Sequence, residues 1–325
     1  MEYVTWSMEC AGAAVFERYV DCEGGLFVEF PEILRNAVKC TVNVDEPMEK
    51  HVTFRAGGKA AYYAEPTSLD ELRAVVDCAN DCGIEWRVIG NGSNILVRDE
   101  GYKGLIIALG RRFGAVGVSS GDTVFAEAGA LLSRVGSIAA DAGLAGFEFA
   151  AGIPGSVGGA VAMNAGAFGG EMSDIVTDVA VLTRTGAYVE RAADRLGFGY
   201  RTSDIQRNGD VVVAARFKLE KGDPAAIREQ MAQLARTRRS RQPLELPSAG
   251  SAFKRPEGTF AAKLIDEAGL KGLSVGGARV SEKHAGFIVN AGGATASDII
   301  ALMDEVKRRV KESSGIELEP EIKVF

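Results

Sequence analysis

The sequence predicts an α+β fold arranged as two units, and three observations carry that prediction. Strand-like and helix-like apolar patterns interleave from about residue 42 onward, without the steady strand–helix–strand repetition of a doubly wound sheet. The 325 residues amount to about two ordinary domains. Hydrophobic residues make up 46% and charged residues 25%, so each unit can bury its own core without a disulfide or metal staple.

Residues 1–32 read as an N-terminal extension, with Val15, Phe16 and Tyr19 able to line a short helix and Phe27 to Phe30 extended. The first unit is expected over 33–220. Ser68 can cap a helix over about 69–82, with Leu69, Leu72, Val75, Val76 and Ala79 on one face and Gly83 as its stop. Trp86 to Ile89 reads as a strand, as do Leu105 to Leu109 and Val124 to Glu127. Leu131 to Ala142 is a helix ended by Gly143. Ile175 to Leu182 and Ala187 to Val189 form a hairpin around Arg184-Thr185-Gly186, and Val211 to Leu219 closes the unit as a strand.

The second unit is expected over 221–325. It opens with a helix from Ala225 to about Ser240 that ends in a basic cluster. Phe260 to Ala268 is a helix stopped by Gly269, and Phe287 to Val289 is a strand. Ser297 can cap a last helix whose Ile299, Leu302, Met303, Val306 and Val310 share a face. Glu321 to Val324 alternates as a strand does, placing Glu321, Lys323 and Phe325 on one side.

Charge and cysteine usage exclude whole classes. A net charge of -7 argues against a nucleic-acid binder, which needs a broad basic face. The five cysteines, Cys10, Cys22, Cys40, Cys78 and Cys82, form no paired framework and read as reduced thiols of a cytoplasmic protein. Cys78 and Cys82 have helical spacing, but with only His51 and His284 in the chain no ligand set is completed, and no metal is expected. No basic leader precedes an apolar run, and no run approaches the roughly 18 apolar residues of a membrane span.

Two glycine-rich loops carry the first chemical signal. Gly90, Asn91, Gly92, Ser93 and Asn94 lie between apolar strands, where glycines let backbone amides approach an anion. The second loop runs through Gly152, Ile153, Pro154, Gly155, Ser156, Gly158 and Gly159 and is followed by Asn164, Ala165 and Gly166. A glycine-rich loop opening a short helix suits a pyrophosphate. Neither loop fits the Rossmann or Walker A spacing. Ordinary turns are the bland alternative for either loop alone, but Ile153, Val157, Val161, Met163 and Phe168 interleave with the glycines, unlike a solvated linker.

Seven segments in order resemble one known family. They are Thr53 to Ala60, Gly90 to Leu96, Gly152 to Gly159 with Met163 to Ala167, Gly199 to Ser203, Gln242-Pro243 with Pro247 to Lys254, Ser281 to Asn290, and Leu318 to Glu321. The family is UDP-N-acetylenolpyruvoylglucosamine reductase, and the short interval from Arg201 to Ser251 resembles its compact second type. The resemblance implies an FAD-binding domain of the vanillyl-alcohol-oxidase (PCMH) type with a smaller C-terminal α+β substrate domain. It implies non-covalent FAD, NADPH as co-substrate, and UDP-N-acetylglucosamine enolpyruvate as substrate. The two glycine loops are its flavin segments. Residues 1–32 are longer than the usual start, and Arg255 stands where many relatives carry asparagine.

The same resemblance implies roles. Arg201 faces the substrate carboxylate, where a fixed cationic fork offsets developing negative charge. Ser251 donates the proton, and Glu321 orients substrate or relays that proton. Tyr200, Lys254, Arg241 and Lys283 are candidates for the UDP moiety, with Arg236, Arg238 and Arg239 as further cations at the same helix end. Taken singly, an arginine is most often a surface ion partner, a serine after glycine is a turn, and last-turn cations complement a helix dipole. Another flavin oxidase of the same fold, or a non-catalytic nucleotide-binding relative, are the competing readings.

Overall fold

Alternating apolar residues close two sheets over one large core in the first half of the chain. The structure is a computed structural model and describes residues 19–22, 26–119 and 121–325. Strands β1 (Tyr19–Cys22) and β2 (Leu26–Glu29) pair antiparallel, and helix α1 (Phe30–Ala37) follows with Pro31 in its first turn. Phe30 and Leu34 are buried in the first core. The boundary expected after residue 32 therefore falls inside an element, because the apolar face of α1 needs the first unit to cover it. Of the helix expected around Val15, Phe16 and Tyr19, the first two lie outside the described residues and Tyr19 opens a strand.

The first sheet is mixed. Its strands are β3 (Thr41–Pro47), β4 (Lys59–Glu65) and, after helix α2 (Leu69–Asp81), β5 (Trp86–Ile89). A short strand β6 (Ile95–Leu96) precedes its last member, β7 (Tyr102–Ala108). The order is β3-β4-β7-β5, antiparallel between β3 and β4 and parallel elsewhere. Helix α2 starts as its sequence requires: the Ser68 hydroxyl accepts from the Glu71 amide at 3.2 Å, and Leu72, Val75, Val76 and Ala79 are buried.

The second sheet is antiparallel throughout. It is built from β8 (Val116–Ser119) and β9 (Thr123–Glu127), then, after helices α3 (Leu132–Asp141) and α4 (Val157–Ala162), from β10 (Val176–Leu182) and β11 (Tyr188–Ala192). Helix α5 (Asp204–Asn208) leads into β12 (Val211–Lys218), and the order is β11-β10-β12-β9-β8. Helix α6 (Pro224–Arg241) was expected to open the second unit, yet it packs on the first. Its Arg228 reaches Asp141 of α3 at 2.6 Å, Met231 lies against Gly136, and the Gly222 amide before it donates to the Gly143 carbonyl at 2.8 Å. With Ile227 as its one buried residue, α6 has too little apolar surface to nucleate a core of its own.

A four-stranded antiparallel sheet follows. Its strands are β13 (Ser248–Ser251) and, after helix α7 (Ala261–Glu267), β14 (Ser274–Val275), β15 (Ala278–Val280) and β16 (Phe287–Asn290), in the order β13-β16-β15-β14. Helix α8 (Ala296–Ser314) buries Ile299, Leu302, Met303, Val306 and Val310. Its cap is Thr295 rather than Ser297, because Thr295 stands three residues before Asp298 and the two exchange reciprocal bonds. The Ser297 hydroxyl donates to Asp99 at 2.5 Å instead.

The two halves interlock. Val52, Phe54, Ala56 and Leu96 leave the first unit and are buried in the second core. The last strand, β17 (Lys323–Val324), pairs parallel with β6, matching Lys323 to Ile95 and Val324 to Leu96. It is shorter than the strand expected from Glu321 onward, because the Glu321 amide donates to the Ala252 carbonyl at 2.9 Å.

Candidate active site

The two glycine loops are built against each other. The Asn91 side-chain amide donates to the Pro154 carbonyl at 2.8 Å. A Cβ at Gly90 would lie 2.0 Å from the Ser156 hydroxyl, so only glycine permits this approach. Gly92 has φ of 62°, and a Cβ there would lie 2.0 Å from the His51 carbonyl oxygen. Thr53 ties this loop to the second unit, its hydroxyl donating to the Ser248 carbonyl at 2.6 Å and its amide to the Gly92 carbonyl at 3.1 Å. Asn94 reaches further: its side-chain amide donates to the Glu321 carbonyl at 3.2 Å, and its own carbonyl accepts from the Lys323 amide at 3.0 Å.

The residues present fit a dinucleotide diphosphate at this junction. The Ser156 hydroxyl is buried and has no partner among the described residues, although it stands at the start of α4 where a capping bond is usual. Such an orphaned donor beside an exposed glycine backbone is the group an anionic ligand satisfies. Asn164 behaves differently from its expectation as a cofactor contact. It is wholly buried, its amide donates to Glu171 at 3.0 Å and to the Gly199 carbonyl at 3.1 Å, and its oxygen accepts from the Ser173 amide at 2.9 Å. With both polar atoms of its side chain bonded inside the protein, Asn164 braces the loop through that side chain.

Arg201 and Glu321 meet across 120 residues of chain. Arg201 Nε donates to Glu321 Oε1 at 3.0 Å, and Nη2 donates to the Gly166 carbonyl at 3.0 Å. Nη1 is the nitrogen that neither bond uses. Arg201 takes a left-handed φ of 57°, unfavourable for a residue with a side chain. A tight turn holds it there: Gly199 and Thr202 exchange backbone bonds, and the buried Ser203 hydroxyl donates to the Ala162 carbonyl at 2.6 Å while capping α5. Tyr200 is half-exposed, its ring 5.2 Å from the Arg201 guanidinium, and its hydroxyl accepts from the Arg255 amide at 3.1 Å.

The Ser251 segment, at the end of β13, runs beside the Glu321 segment. Ser251 is exposed, and the next residue's carbonyl accepts the Glu321 amide. Pairing continues as Phe253 bridges Pro320 and the Lys254 amide donates to the Glu319 carbonyl at 2.8 Å, so the serine and glutamate segments run side by side. Burial pushes the Glu321 carboxyl above the usual carboxylate range; the charges of Arg201, Lys254 and Lys323 oppose the shift but do not reverse it.

The remaining expected ligand contacts divide. The Lys254 ammonium pairs with Glu319 beside the site. Lys283 pairs with Glu245 at 3.5 Å and lines a separate cavity of about 500 Å³ with His284 and Lys271, and Arg241 is exposed at the end of α6. No described contact brings Lys283 or Arg241 to the Arg201–Glu321 pair. Arg255 turns away as well, its guanidinium 4.1 Å from the Phe260 ring and its Nε donating to the Thr259 carbonyl at 3.3 Å. Thr53 and Asn290 had no role in the sequence reading although both fall in the quoted segments. The Asn290 side chain bonds the Phe54 carbonyl at 3.1 Å and holds the crossing strand in place. Among the described residues no group of three or more His, Cys, Asp or Glu is placed to hold a metal, and no helix is long and apolar enough to cross a membrane.

A family profile described as UDP-N-acetylenolpyruvoylglucosamine reductase, C-terminal domain, matches residues 242–325, and one described as FAD binding domain matches residues 60–191. The chain is 48% identical over 292 residues to the UDP-N-acetylenolpyruvoylglucosamine reductase of Agathobacter rectalis, covering 86% of this chain and 93% of that protein. It is 46% identical over 283 residues to that of Alkaliphilus oremlandii, covering 87% and 93%. The crystal structure of UDP-N-acetylenolpyruvylglucosamine reductase from Thermus caldophilus superposes with a TM-score of 0.75 at 38% identity, covering 88% of this chain and 99% of that one.

Proposed function

The chain belongs to the UDP-N-acetylenolpyruvoylglucosamine reductase family, and on that premise we propose how its residues carry the reaction. It is an FAD-dependent oxidoreductase that reduces the enolpyruvyl group of UDP-N-acetylglucosamine enolpyruvate for peptidoglycan synthesis. NADPH is the electron donor in this reading, and the cytoplasm is where it works. When bound, the flavin supplies hydride transfer from NADPH to the enolpyruvyl methylene carbon.

The single observation that carries the residue assignment is the Arg201–Glu321 ion pair, with the Ser251 segment bonded to it. Addition at the methylene carbon builds negative charge on the neighbouring carbon and its carboxylate. Arg201, fixed by Glu321 and the Gly166 carbonyl, presents its remaining nitrogen to that carboxylate and offsets the charge as it develops. The Ser251 hydroxyl gives its proton to the neighbouring carbon, completing the lactyl ether. Glu321, whose carboxyl is pushed up by burial, holds Arg201 in place and can return a proton to the serine. Ser156 and the amides of Gly90 to Asn94 and Gly152 to Gly159 hold the cofactor diphosphate, with Ala165 and Gly166 lining its far end. Tyr200 and Lys254 flank the entry for the UDP-sugar.

The test separates the two half-reactions by stopped flow. Ser251→Ala is expected to lose its flavin colour with NADPH as fast as wild type. It is expected to regain that colour with the enolpyruvyl substrate roughly 10²- to 10⁴-fold more slowly. Equal reoxidation rates would remove Ser251 from the mechanism.

A further inference from the structure

Helix α6 carries several arginines, and their surroundings differ. Arg228 pairs with Asp141 at 2.6 Å and Arg236 with Glu229 at 2.7 Å. Arg238 has no such partner among the described residues. Its Nε is buried and meets no acceptor, and burial alone pushes its guanidinium down from the usual range, with no charge acting on it. In a chain with 44 acidic residues against 37 lysines and arginines, an acid partner could readily have been supplied. A desolvated cation left without a counter-charge is costly unless an anion arrives.

Its position says which anion. A Cβ at the exposed Gly152 would lie 3.4 Å from Arg238 Nε, so the guanidinium lies against the start of the second glycine loop. The Phe168 ring centroid is 5.6 Å from the guanidinium, and Phe168 is itself held at a left-handed φ of 53°. The second buried orphan of this region, the Ser156 hydroxyl, is four residues along the same loop. A planar fork, a hydroxyl donor and a glycine backbone facing one loop match the several oxygens of a diphosphate better than a single carboxylate.

We propose that Arg238 is a diphosphate receptor, closing the open side of the 152–156 loop on a nucleoside diphosphate ester. The inference rests on the function proposed above, which brings two such esters to the protein: FAD and the UDP-sugar. Arg238 makes no covalent step; it supplies the charge that the loop amides lack.

The experiment compares wild type, Arg238→Ala and Arg238→Lys in two arms and one control. FAD release from the holoenzyme on dilution is read by recovery of flavin fluorescence, and the UDP-sugar arm is read as KM against kcat. Thermal unfolding of the flavin-free chain is the control. The expected result is a loss of roughly 10- to 100-fold in affinity in one arm, which identifies the ester, with partial recovery in the lysine variant. The flavin-free alanine variant should melt at or above the wild-type temperature, because a partly desolvated, unpaired charge has been removed. Unchanged affinity in both arms overturns the proposal. So does a fall in the melting temperature of the flavin-free alanine variant, which would make Arg238 a packing residue over Phe168. A wild-type chain that holds no flavin overturns the reading beneath the proposal, and the proposal with it.

Discussion

At the scale of single residues, Glu321 anchors Arg201 from a largely buried carboxyl. Its environment favours the neutral acid even with Arg201 3.0 Å away. The sign of the stability effect follows. A carboxyl raised above its unfolded value stabilises the fold where it is protonated in both states, and that contribution is lost as pH rises through the folded value. Glutamine mimics the neutral form, so Glu321→Gln should unfold at higher urea concentration than wild type at neutral pH, and the difference should shrink toward zero below about pH 4. A variant less stable than wild type at neutral pH would show that the ion pair outweighs burial. Turnover of the glutamine variant should fall all the same, since it has no carboxyl proton to return to Ser251. The motifs that hold Ser251, Arg201 and Glu321 stand out in the sequence because they are short and occur in order. The meeting of Arg201 with Glu321 does not, since no local pattern links positions 120 residues apart. Nor could sequence distinguish Arg238 from the arginines beside it, because what sets it apart is the acid it lacks.

At the scale of elements, the long amphipathic helices were readable and the short connections were not. Helix α2 begins at the serine that caps it, because a single hydroxyl–amide bond fixes that end. The start of α8 shifted by two residues, because the reciprocal Thr295–Asp298 bonds outcompete a serine that has Asp99 as a partner from another segment. Helix α6 stands out in the sequence as a helix, but its polar surface gives no sign of which core it leans on. The 90–94 loop has little room for change. Gly92→Ala would force a side chain into a left-handed conformation, costing about 1–2 kcal/mol, and against the His51 carbonyl. The expected outcome is a lower urea midpoint together with weaker flavin retention, read by absorbance after gel filtration. A stable variant that retains full flavin would show that the loop can shift to accommodate the methyl group.

At the scale of the whole molecule, the interlock between halves decides how the protein unfolds. The second core is completed by Val52, Phe54, Ala56 and Leu96, and the parallel β6–β17 pair joins residues of both family matches. Removing residues 323–325 should therefore lower stability by an amount on the order of 2 kcal/mol and loosen flavin binding in the same variant, because Asn94 loses the Lys323 amide it accepts. Calorimetry checks the first effect and flavin fluorescence the second. Two separate transitions in the wild-type protein would contradict the interlock.

The bond from Asn94 to the Glu321 carbonyl spans 227 positions. A ribosome that has just finished the glycine loops has not yet made the strand that braces them, so a nascent chain has no finished cradle to offer a vitamin-derived ligand. The cradle is thus finished only once the tail is made, and a polypeptide cut short before Glu321 is expected to hold its flavin more weakly even with both glycine loops intact.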